Sequence, residues 1–235
     1  MRRALGFLTP FGGASVPSAA ALTWFPVVGA LIGLAVGFAW WLAAKGLGPF
    51  AAAAVAVAVD LGCTGLLHMD GLADTADGLL PHLDTERRLA VMAEPTIGAY
   101  GVTVVAATLL LRTGALASAR PAPLAVAALW CASRTGMAVI LRTVKYARSH
   151  GLALAFVDRS RQWLPIGAVG LGLLLALGWW ERPAHLAAAV VALALAMAGV
   201  TALAVRRLGG FTGDVLGAAA VTGETIGLLV LVSRW

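Results

Sequence analysis

Long apolar runs separated by short polar intervals dominate the chain. A membrane-crossing helix needs about 20 mostly apolar residues, and seven stretches approach that length: 24–44, 49–67, 98–118, 121–141, 163–181, 184–205 and 215–233. The last of these carries Glu224 inside it. Residues 45–48, 119–120 and 182–183 make tight turns, whereas 68–97, 142–162 and 206–214 form longer, polar connections. With seven crossings, the tight turns fall on one side of the bilayer, and the longer loops fall on the other with the N-terminus. Residues 4–20 are apolar but interrupted by Gly and Pro, which predicts an interfacial or re-entrant segment and no signal-peptide core. The pattern predicts an all-α fold: one polytopic helical bundle over 1–235, with about seven transmembrane helices rich in the Ala and Gly that permit close packing.

Composition agrees. The chain is 60% hydrophobic and 12% charged, against roughly 45–50% and about 25% in soluble domains, and its mean hydropathy is +0.90. The net charge of +6 points to membrane topology and not to nucleic acid, because the basic residues sit between the apolar runs. The longer loops and N-terminus hold Arg2, Arg3, Arg87, Arg88, Arg142, Lys145, Arg148, Arg159, Arg161, Arg206 and Arg207, whereas the opposite side holds Lys45, Arg120, Arg182 and Arg234. Eleven against four places the longer loops in the cytoplasm. Most acids join them: Asp70, Asp74, Asp77, Asp84, Glu86, Glu94, Asp158 and Asp214 are on that side, and Glu181 is opposite. Cys63 and Cys131 lie in apolar runs and read as packed small hydrophobes.

Chemistry concentrates in His68-Met69-Asp70-Gly71-Leu72-Ala73-Asp74-Thr75-Ala76-Asp77-Gly78. Asp70, Asp74 and Asp77 stand at i, i+4 and i+7, on one face of a helix. Three crowded carboxylates are tolerable around a divalent cation, and Mg²⁺ takes one or two carboxylates together with substrate phosphates. The competing view is an acidic, solvated helix start. The spacing resembles the aspartate motifs of CDP-alcohol phosphotransferases and of membrane prenyltransferases, so by itself it indicates a metal–diphosphate site and not a substrate. His68 is a candidate general base or supporting group.

Further candidates lie on the same side. Glu94, before Pro95, is either another acidic ligand or a loop-ordering residue. Tyr146 and Arg148 in the 142–151 loop are placed to grip a nucleotide. Gly209-Gly210-Phe211-Thr212-Gly213-Asp214 is a glycine-rich loop opening a helix, either a phosphate-binding loop or a flexible turn with Asp214 as N-cap, with Arg206 and Arg207 beside it as anchors or phosphate contacts. Glu224 is an acid inside a span and needs a partner; Arg134 is the candidate, and Arg112 is the candidate partner for Asp60.

Taken together, these blocks resemble the cobalamin synthase family, adenosylcobinamide-GDP ribazoletransferase. The run from Leu67 to Leu79 carries the resemblance most strongly, joined by Phe25-Pro26-Val27-Val28-Gly29, Ile97-Gly98-Ala99-Tyr100-Gly101, Tyr146-Ala147-Arg148 with Gly151, and Leu208 to Ala218 with Glu224. One departure is Ala93-Glu94-Pro95-Thr96, where the family usually has a basic residue followed by Asp. The resemblance implies Mg²⁺ held by Asp70, Asp74 and Asp77. It implies adenosylcobinamide-GDP and α-ribazole or its 5′-phosphate as substrates, GMP as leaving group, and substrate contacts from Glu94, Tyr146, Arg148, Gly210, Thr212 and Asp214; Glu224 and Arg134 are either a structural ion pair or both line the substrate cavity. The expected setting is the lipid bilayer of the cell inner membrane, with the site facing the cytoplasm. No nucleic acid is expected, and a homo-oligomer is left open. Two alternatives are a phosphatidyl- or prenyl-transferase acting on a lipid diphosphate, and a metal transporter.

Overall fold

The computed structural model describes residues 1–12, 18–148, 151, 156, 164–178 and 183–233, and within them the chain is helical, with one isolated bridge between Tyr146 and Phe211. In order the helices are α1 (Arg2–Leu8), α2 (Phe25–Ala43), α3 (Pro49–Thr64), α4 (Leu67–Leu79), α5 (Thr85–Val91), α6 (Ala99–Ala117), α7 (Pro123–Thr143), α8 (Leu164–Gly178), α9 (Pro183–Leu208) and α10 (Gly213–Leu231). Proline in the first turn starts α2, α3 and α7, where its missing N–H costs nothing. The N-terminal segment folds as α1 and a short 3₁₀ turn, with Ala4 and Leu8 buried against the bundle.

Five helical stretches are long and apolar enough to cross a membrane: 19–43, α6, α7, α9 and α10. The protein is therefore multi-pass, but the expectation of seven straight spans is corrected at one of them. The predicted span 49–67 ends early. Gly65 and Leu66 both take left-handed backbone, with φ of 57° and 63°, and α4 leaves α3 at an 89° bend, so the pair counts at most as one broken span. Residues 67–79, the start of the predicted polar connection 68–97, form a largely buried helix packed on α6 and α10, as the spacing of the aspartates predicts. Of the predicted span 163–181 the described part is α8, which is helical and apolar; 163 and 179–181 lie outside the described residues. Asp158, Arg159, Arg161, Glu181, Arg182 and Arg234, used in the charge reading, lie outside the described residues.

The bundle centres on α7, most of which is buried. Glycines 29, 33 and 37 form one stripe of α2 that lies directly on α7; a Cβ on Gly33 would stand 2.6 Å from Ala127 Cα. Such small-residue stripes let membrane helices pack without a hydrophobic driving force.

Four charges are buried in this interior. The Arg112 guanidinium bonds Asp60 at 2.6 Å and Glu224 at 2.7 Å, and also donates to Thr225 Oγ1 and the Val221 carbonyl. Trp130 Nε1 donates to the other Asp60 oxygen at 2.7 Å. Arg134, fully buried, pairs with the second Glu224 oxygen. Two guanidinium and two carboxylate groups leave the network neutral, which is how charge survives inside a membrane protein. The predicted pairings of Asp60 with Arg112 and Glu224 with Arg134 are both present.

Candidate active site

The aspartates of α4 share one stripe but not one environment. Asp70 is exposed, Asp74 is half-buried and Asp77 is buried. The Asp77 carboxylate accepts hydrogen bonds from the backbone N–H of Gly98 at 2.7 Å and of Gly101 at 3.0 Å. It therefore caps the start of α6, whose first N–H groups lack helical partners. At the C-terminal end of α4, Arg88 donates to the Gly78 and Leu79 carbonyls at 2.8 and 2.9 Å. Asp84 caps α5 by accepting from Arg87 N at 2.8 Å, which holds that arginine-bearing segment in helical form.

Opposite α4 lies the start of α10. Thr212 is its N-cap and accepts from Val215 N. Two glycines bring the helices together: a Cβ on Gly71 would come 2.8 Å from the Asp214 carbonyl oxygen, and one on Gly217 would come 3.1 Å from His68 Cα. This contact of bare backbones places Asp214 beside the aspartate stripe. Asp74 carries the repulsion of Asp70, Asp214 and Asp77 and the attraction of Arg148. Arg148 pairs with Asp214 at 3.3 Å, and its second terminal nitrogen is buried with no hydrogen-bond partner among the described residues.

Asp70, Arg148 and Asp214, but neither Asp74 nor Asp77, border a cavity of about 200 Å³. His68, Asp70, Arg148 and Asp214 form its polar wall, while Phe7, Leu67, Met137 and Leu216 line it with apolar surface. Tyr146 also lines it, edge-on to Phe211 at 5.3 Å. Burial raises the Tyr146 phenol above its ordinary value, so it stays a neutral hydroxyl at working pH. The cavity lies where the C-terminal end of α7, the start of α10 and α1 meet, the side predicted to carry the polar loops.

Not every expected residue reaches it. Gly210 and Thr212 sit behind the cavity. The chain at Lys145–Ala147 pairs with Phe211 through bonds of 2.8 and 2.9 Å, and any side chain at Gly210 would strike the Lys145 carbonyl, so this glycine serves the pairing. Glu94 pairs with Arg87 at 3.1 Å on the exposed surface and does not line the cavity. Glu224 and Arg134 lie deeper, and Arg134 meets the site at His68, whose Nδ1 stands 3.4 Å from Arg134 Nη2. A guanidinium has no lone pair to offer, so Nδ1 must accept and the ring proton belongs on Nε2. Sequence reasoning missed Phe7, Met137 and Leu216 as lining residues, because nothing distinguishes them from packing residues until the fold brings them together. It also missed the cap role of Asp77.

Among the described residues, no three His, Cys, Asp or Glu side chains converge as a ready metal cage. The triad expected from Asp70, Asp74 and Asp77 is divided, since Asp77 is turned to α6. What remains, Asp70 and Asp74 with Asp214 nearby, is a set of hard oxygen donors that suits Mg²⁺ completed by phosphate and water.

The chain matches the cobalamin-5-phosphate synthase family over residues 1–232. It is 41% identical to an adenosylcobinamide-GDP ribazoletransferase of Bradyrhizobium diazoefficiens, an alignment covering 98% of this chain and 92% of that protein. It is 37% identical to proteins of the same name from Brucella ovis and Brucella canis, in each case over 88% of this chain and 84% of the relative. No solved structure matches. Through a match spanning nearly its whole length, with the α4 motif and the α10 loop meeting at one cavity, the chain belongs to the cobalamin-5-phosphate synthase family.

Proposed function

We propose that this multi-pass membrane enzyme is an adenosylcobinamide-GDP ribazoletransferase working at the cytoplasmic face of the cell inner membrane. A hydroxyl of α-ribazole, or of its 5′-phosphate, attacks the phosphorus that joins cobinamide to GMP. The bond to the GMP phosphate breaks, GMP leaves, and adenosylcobalamin or its 5′-phosphate forms. The observation that carries this reading is the convergence of His68, Asp70, Arg148 and Asp214, drawn from three separate segments, around one cavity. Arg148 offers its unpartnered nitrogen to a phosphate oxygen. His68 offers an Nε2–H donor, which leaves a carboxylate to receive the proton of the attacking hydroxyl.

Asp70 and Asp74 are the residues placed to hold Mg²⁺, with Asp214 in reserve and Asp77 fixing the helix that carries them. Bound there, the ion would neutralise the diphosphate and the departing phosphate. Positioning and charge neutralisation then supply most of the rate.

The test is GMP release by purified protein in liposomes given adenosylcobinamide-GDP and α-ribazole, with and without Mg²⁺. Magnesium-dependent GMP formation together with a cobalamin product is expected. GMP release that ignores ribazole, or turnover only on lipid diphosphates, would move the substrate to the lipid class.

A further inference from the structure

We infer that the cavity between α1, α7 and α10 is the subsite for the planar base of the attacking nucleoside, and that Phe7 is its aromatic wall. The inference rests on the proposed ribazoletransferase reading and assigns one substrate to one place. Size argues first. Sites for drug-sized ligands run from about 300 to 1,000 Å³, whereas this cavity holds about 200 Å³. A volume of this size suits one fused ring system.

Chemistry argues next. The lining is mixed: Phe7, Leu67, Met137 and Leu216 give it apolar surface, and His68, Asp70, Tyr146, Arg148 and Asp214 give it polar groups. The guanine of the other substrate presents donors and acceptors along its edges, and burying those against apolar side chains without partners is costly. The dimethylbenzimidazole of α-ribazole has a methylated, apolar edge that suits that apolar surface. With the base so placed, the ribose lies toward the carboxylates and the arginine, where its hydroxyl meets the phosphorus.

Phe7 is held for this task. Its ring stacks on Phe25 at 5.8 Å and stands edge-on to Phe156 at 4.6 Å, yet it keeps enough free surface to line the cavity. A ring clamped on two sides offers its remaining surface with little entropy left to lose. The arrangement also gives α1 a purpose: this seven-residue helix carries a wall of the acceptor site on the segment before the first span.

The experiment is steady-state kinetics in liposomes, titrating each substrate separately for the wild type, Phe7→Leu and Phe7→Tyr. Phe7→Leu keeps apolar volume and loses the aromatic ring, and contact between a base and an aromatic side chain is worth enough to expect about a tenfold rise in KM for α-ribazole. The KM for adenosylcobinamide-GDP and kcat should stay within about threefold, and Phe7→Tyr should restore most of the loss. With an unmethylated benzimidazole riboside, the wild type should show a raised KM, and Phe7→Leu should narrow the gap between the two ribosides, as coupled contacts do. A rise confined to adenosylcobinamide-GDP would give the cavity to the guanine and overturn the assignment. Unchanged KM values for both substrates, or equal losses in the Leu and Tyr variants, would overturn it as well. Wild-type protein without ribazole-dependent turnover would instead overturn the parent reading, a result visible before any variant is made.

Discussion

The carboxylate of Asp77 lies 2.7 Å from the backbone nitrogen of Gly98, across a sequence gap of 21 residues, and joins α4 to the first turn of α6. Asp74, one turn earlier on the same stripe, has no such partner among the described residues and is crowded by acids. The two residues should therefore fail differently. Asp77→Ala strands two backbone donors and should cost about 1–3 kcal/mol of stability. Asp74→Ala removes repulsion, so the protein should unfold no earlier, but transfer should fall at least about a hundredfold. Thermal unfolding in detergent beside GMP release separates them, and near-normal turnover in Asp74→Ala would remove the metal-site assignment.

His68 tests whether the site uses a donor or a base. The Arg134 contact puts the ring proton on Nε2. His68→Gln keeps a side-chain N–H and should retain at least about tenfold more activity than His68→Ala. Equal inactivity in both would make the ring a base.

Arg112 joins two buried acids. Arg112→Met leaves both without their shared cation, and breaking a buried pair this way costs about 3–5 kcal/mol. Expression and unfolding temperature should drop sharply, and adding Asp60→Asn should recover part of the loss. An unchanged unfolding temperature in the single variant would show that the network carries no stability.

Gly71→Ala and Gly62→Ala form a pair. Gly71 faces the Asp214 backbone, whereas a methyl at Gly62 meets nothing within 4 Å. The first should cost about 1–3 kcal/mol through overpacking and depress kcat. The second should be neutral or stabilise by up to about 1 kcal/mol through helix propensity. Matching behaviour of the two would argue against a tight crossing.

The proposed orientation predicts that Asp84→Cys, placed in protein lacking Cys63, labels with a membrane-impermeant thiol reagent only from the cytoplasmic side. Labelling from the periplasm would invert the topology.

The sequence displayed the helices well, because the membrane demands long apolar stretches and the breaks between them are polar. It also displayed the buried pairs, since a lone Glu224 or Asp60 in such a stretch requires a cation nearby. The α3–α4 elbow stayed hidden. Hydropathy is continuous across Gly65 and Leu66, and a left-handed leucine leaves no trace in composition. The separation of Asp77 from its neighbours was equally invisible, because helical spacing sets a face and not what meets each position on it. Gly210 misled for a related reason: a glycine needed for the close approach of two chain segments looks like one needed for phosphate.

The crossing of Gly71 over Asp214 and of Gly217 over His68 has a bearing on how the enzyme meets its environment. Where two helices touch through side chains, their separation follows the rotamers and swells with heat or lateral pressure. Here two main chains meet with nothing compressible between them. The gap between the α4 and α10 carboxylates is thereby set by the thickness of the polypeptide itself, and it should hold its value across changes in lipid composition that would loosen the surrounding bundle.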